Sequence, residues 1–124
     1  MSKQETINAI RIKCTVSPTG FKCINAEPIT LPADTEHLVT AIQDEIGGYF
    51  ESHYCVVKRK KLSVFVDEEA MLKPDIKLGF ILGTGRPLFG DAVVMGIPNL
   101  RADETDCPLD AKTILKHMTM ITRN

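Results

Sequence analysis

Every second residue from Ile10 to Cys14 is apolar, with Arg11 and Lys13 between them. That two-residue period confines the segment to an extended strand with one buried face. The longer stretch INAIRIKCTV (7–16) is followed by Ser17-Pro18-Thr19-Gly20 and then FKCINAEPI (21–29), which together read as a hairpin. Pro18 cannot supply the positive φ with which a two-residue hairpin loop begins. A type I turn with Gly20 in the left-handed position is expected instead, and it shifts the pairing so that Cys14 and Cys23 do not face each other. No disulfide between them is expected.

The next stretch, DTEHLVTAIQDEIGG, changes period. Leu38, Ala41, Ile42 and Ile46 recur at helical spacing, Asp34 is placed to cap the first turn, and Gly47-Gly48 to end the last. A second hairpin is expected from YFESHYCVV and LSVFVD, joined by Lys58-Arg59-Lys60-Lys61, with Leu62, Val64 and Val66 on a core face. One short helix is expected before the loop at residues 83–90, then a strand, DAVVMGI. A polar, acidic connection, PNLRADETDCP, leads to a last helix, DAKTILKHMTMI, capped by Asp110. Ala111, Ile114, Leu115, Met118 and Ile121 form its apolar face, and Lys116, His117 and Arg123 lie near its negative end. The sum is β-β-α-β-β-(α)-β-α, an α+β fold with two main helices on a mostly antiparallel sheet. No repeat or linker divides residues 1–124, so a single domain is expected, with an ordered core over about 7–121.

Composition narrows the function classes. With 124 residues, a formal net charge of −1 and 25% charged residues, the chain has neither the basic excess of a duplex-DNA binder nor the acidic excess of a DNA mimic. No stretch has the length or apolarity of a signal peptide or membrane span, and Cys14, Cys23, Cys55 and Cys107 include no C-x-x-C pair. The expectation is a cytoplasmic protein that uses no duplex nucleic acid, membrane, metal or cofactor.

GTGRPLFGDAVVMG (83–96) invites comparison with phosphate-binding loops. A dinucleotide fingerprint needs a third glycine where Leu88 stands, and no Gly-Lys-Ser/Thr triplet makes a P-loop. Two readings stay open. The glycines allow tight bends, or Arg86 and Phe89 offer a fork of donors and a stacking face to a nucleotide-like ligand. Tyr49 and Glu51 share a face opposite Phe50 and form either a solvated surface or a site for a base or ribose. The basic cluster at Lys58 and Arg59 is either a solvated tip or a rim attracting anions. Asp67-Glu68-Glu69 reads as a solvated turn. His37, His53 and His117 are scattered, and no serine sits in a nucleophile elbow, so no enzyme is indicated.

The motifs IGGYFE, VFVDEEAMLKPD and PLFGDAVVMG, in that order, resemble a family of short phage and plasmid proteins catalogued as a domain of unknown function. The resemblance spans about residues 7–121 and is concentrated in Gly48-Tyr49-Glu51, Asp67-Glu68-Glu69 and Gly90-Asp91. The asparagine usual after the acidic turn is absent here, where the chain reads Lys73-Pro74-Asp75-Ile76-Lys77. What the resemblance implies is a viral protein acting in the host cytoplasm against host defence. On that view a homo-oligomer sequesters a nucleotide-type second messenger, a cyclic oligonucleotide or cyclic ADP-ribose isomer, without catalysis. The ligand-binding residues are then Tyr49, Glu51, Lys58, Arg59, Arg86 and Phe89. The alternative is an inhibitor or adaptor that binds a host protein through a helix face or sheet edge.

Overall fold

A computed structural model describes residues 5–98 and 104–123. The first hairpin pairs β1 (Thr6–Val16) with β2 (Lys22–Pro32) over their whole lengths, so β2 runs three residues beyond its expected end. Its turn has the expected form. Gly20 has φ 87° and donates to Ser17 O at 2.9 Å. Thr15, not Cys14, is therefore opposite Cys23. All four thiols are free.

Helix α1 (Thr35–Ile46) also matches its signals. The Asp34 carboxylate accepts from His37 N–H at 3.2 Å, and Gly47, at φ 85°, donates to Gln43 O. Its buried stripe of Leu38, Ile42 and Ile46 covers Phe65, Val93 and Met95 on one face of a sheet. That sheet has the order β2-β1-β7-β4-β3, with β3 (Phe50–Val57), β4 (Lys60–Asp67) and β7 (Ala92–Gly96), every neighbour antiparallel. Phe50 meets Phe65 edge to face, with ring centroids 5.4 Å apart.

The opposite face is covered too, which explains why β4 and β7 are buried on both sides rather than on one. Phe80, Leu82, Leu88 and Ile114 pack there against Ile12, Val64 and Val94. They come from helix α2 (Ala111–Lys116) and a second sheet of order β6-β5-β8, with β5 (Leu78–Leu82), β6 (Leu88–Phe89) and β8 (Met118–Thr122). The α+β class holds, with a different element order from the expected one.

Three expectations need correction. The last helix stops at Lys116, and Met118–Thr122 pairs with β5 over five positions. MTMIT alternates as well as it spirals, and its threonines and isoleucine favour an extended chain wherever a strand is available to pair with. The segment 70–90 holds a single 3-10 turn, Ala70–Leu72, and then the unexpected strands β5 and β6. The second hairpin closes through two residues, not four. Lys58 and Arg59 both take positive φ, 49° and 66°, the backbone that matches strand twist in a two-residue turn. Part of the acidic connection, residues 99–103, lies outside the described residues.

Candidate functional site

Among the described residues β3 pairs with β4 on one side only. Its hairpin register makes Cys55, His53 and Glu51 the residues whose backbone groups face β4, so those of Val56, Tyr54, Ser52 and Phe50 point outward. At Val56 the outward groups are satisfied by the glycine loop. Thr84 N–H donates to Val56 O at 3.2 Å, and Val56 N–H donates to Thr84 Oγ1 at 2.9 Å. Gly83 permits this approach, since a Cβ there would stand 2.2 Å from Val56 O.

The loop is therefore an edge cap. Its amides are committed within the fold, Gly83 N–H to His117 O, Gly85 N–H to Leu82 O and Gly90 N–H to Leu78 O. A phosphate-cradling loop needs such amides free.

Beyond Thr84 the edge opens into a cleft of about 580 Å³, lined by Ser52, His53, Tyr54, Thr84, Gly85 and Arg86. Two further cavities adjoin it, one on each face of the sheet. On the α1 face, Tyr54 and Thr84 also border an apolar hollow of about 520 Å³ with Val56, Lys61, Ile97 and Pro98. On the other face, His53 and Arg86 border a smaller one of about 170 Å³ with Glu51, Glu68 and Phe89. Cys55 backs the edge. Burial pushes its thiol up to about 11, with Cys107 adding to the shift, so it stays protonated at neutral pH and is a poor nucleophile.

Of the residues singled out from sequence, the structure brings Glu51, Arg86 and Phe89 to one cavity. Arg86 is exposed and makes no hydrogen bond or ion pair with another described residue. Phe89 is already engaged, because the Arg123 guanidinium lies 5.1 Å from its ring centroid and occupies one face. Tyr49 is 71% exposed, and its ring borders none of these cavities, although its carbonyl accepts from Glu68 N–H. Lys58 and Arg59 form the turn at the far end of β3, seven residues from Glu51 and so about 23 Å away.

Sequence reasoning missed Ser52, His53, Tyr54 and Thr84. Tyr54, 65% exposed, is the ring that borders the cleft beside Arg86. The His53 Nε2 is shielded from solvent and lacks a hydrogen-bond partner; Glu51 Oε1 stands 3.1 Å from it, out of line for a hydrogen bond. The acidic turn is solvated at Glu68 and Glu69, as expected, but not at Asp67. Asp67 is only 5% exposed, accepting from Glu69 N–H at 2.8 Å and pairing with Lys73. Its partner lies six residues on, beyond the turn that the sequence suggests.

Among the described residues no three His, Cys, Asp or Glu side chains are grouped to hold a metal ion, and no helix is long and apolar enough to cross a membrane. The cleft offers unpaired backbone donors and acceptors, one guanidinium, one aromatic ring and an apolar hollow, which is chemistry for recognition. No family model, curated protein or solved structure matches the chain.

Proposed function

We propose that this is a binding protein that captures an extended segment of another polypeptide along the free edge of β3. The observation that carries the reading is the outward backbone of Ser52 and Tyr54 beside the capping loop, unpaired among the described residues. Main-chain hydrogen bonds along such an edge give affinity, and hollows on alternate faces give specificity. Both kinds of feature adjoin β3. The other outer strand of the same sheet, β2, carries Pro28 and Pro32, which lack an N–H and blunt that edge. An inhibitor or adaptor of a host protein, as the resemblance implies, would work in this way.

A second reading keeps the small nucleotide-type messenger as ligand, held without catalysis. The unpaired guanidinium of Arg86 beside the Tyr54 ring favours it, as a phosphate anchor next to a stacking face.

One NMR titration separates the two. Amide-labelled protein is titrated with a blocked six-residue peptide of alternating threonine and valine, and separately with AMP and cyclic di-AMP. Strand capture shifts the Ser52 and Tyr54 amides with the peptide and slows their exchange with solvent. Shifts with a nucleotide alone establish the second reading. No shift with any probe defeats both.

A further inference from the structure

We propose that the captured segment is acidic, with a carboxylate side chain opposite Arg86 and an apolar side chain in the hollow of Tyr54, Ile97 and Pro98; this rests on the strand-capture reading. Among the described residues, the cleft is lined by one cation, Arg86, and the apolar hollow by one, Lys61, with no carboxylate in either lining. Lys58 and Arg59 at the hairpin tip extend the same sign past the end of the edge. The carboxylates of Glu51, Asp67 and Glu68 gather around the smaller cavity, which Arg86 also borders, and Asp67 is already paired with Lys73. The edge thus runs from acidic near Glu51, past Arg86, to basic near Val56, and a bound strand is held best with its negative charge on the Val56 side of Arg86.

Side-chain direction separates the two kinds of group. Tyr54 projects on the same face as Phe50, the α1 face, so the apolar hollow receives side chains from that face of an added strand. The neighbouring side chains of that strand point to the other face, where His53 and Arg86 border both the cleft and the smaller cavity. Carboxylate and apolar groups on alternating positions therefore find different surroundings. Thr84 stops the added strand at Val56, leaving Phe50 to Tyr54 as the pairing length, about 17 Å.

The test uses three blocked threonine–valine peptides that differ at one central position, aspartate, asparagine or lysine, titrated into wild-type protein and into Arg86→Gln by NMR. Wild type is expected to bind the aspartate peptide more tightly than the asparagine one, by up to about fivefold, the upper end for a solvent-exposed charged pair, with the lysine peptide weakest. That preference should vanish in Arg86→Gln and shrink in 0.5 M salt. Equal affinities in wild type, or a lysine preference, overturn the acidic partner and leave strand capture standing. An aspartate preference that survives Arg86→Gln overturns the role given to Arg86. If no peptide moves the Ser52 and Tyr54 amides, strand capture itself fails and this inference falls with it.

Discussion

Thr84 binds Val56 as a neighbouring strand would, its N–H to the Val56 carbonyl and its hydroxyl oxygen to the Val56 N–H. The glycine before it makes this contact possible. Gly83→Ala places a Cβ at 2.2 Å from Val56 O on a residue with φ 53°. The loop must then withdraw from the edge, at a cost of about 2 to 4 kcal/mol in urea unfolding, and the Val56 amide should lose its protection against hydrogen exchange. Full protection at Val56 in the variant would refute the edge-cap assignment.

Arg123 ties the last strand to the 3-10 turn. Its guanidinium donates to the carbonyls of Ile76, Met71, Ala70 and Lys73 at 2.7 to 3.0 Å while lying over Phe89. Arg123→Ala strips the donor from four carbonyls and should destabilise the fold by about 2 to 3 kcal/mol. Arg123→Lys should recover little of this, because an ammonium cannot fork to several carbonyls in one plane. A lysine variant as stable as wild type would show that charge alone matters.

The way Arg123 was misread shows where the sequence stops being informative. β1, α1 and the Pro18-Gly20 turn were legible because each carries its own period or backbone constraint within a few residues. β8 was not, since MTMIT fits either period and only the presence of β5 decides. Arg123 then follows a strand rather than a helix, and its partners lie about fifty residues away in the chain. The candidate site was legible in part. Glu51, Arg86 and Phe89 do meet, but the cleft depends on β3 being an outer strand, a property of sheet order that no local pattern encodes.

The hairpin turn at Lys58-Arg59 stores strain that can be removed. Both residues adopt left-handed backbone conformations, which cost an L residue with a long side chain about 1 kcal/mol. Asparagine and glycine adopt them readily. The double substitution Lys58→Asn with Arg59→Gly should raise stability by about 1 kcal/mol in urea unfolding. A loss of stability would mean that the basic side chains make compensating contacts at the tip.

Alkaline pH should destabilise the protein through its buried Cys55 and half-buried Cys14 thiols. Burial, reinforced by Asp91, pushes Cys14 from an ordinary value near 9 up to about 12, and burial with Cys107 pushes Cys55 to about 11. Each folded thiol holds its proton more tightly than the unfolded one, so the stabilisation is complete below pH 9. It declines as pH rises from 9 towards 11 for Cys55 and towards 12 for Cys14, by about 1.4 kcal/mol per pH unit for each group. Unfolding by urea at pH 8 and pH 10 should therefore show a marked drop in midpoint. Cys14→Ala and Cys55→Ala should each flatten the pH dependence even where they lower stability at pH 8, because each removes one titrating group from the folded core. If the drop between pH 8 and pH 10 is the same in both variants as in wild type, the titrating groups are elsewhere.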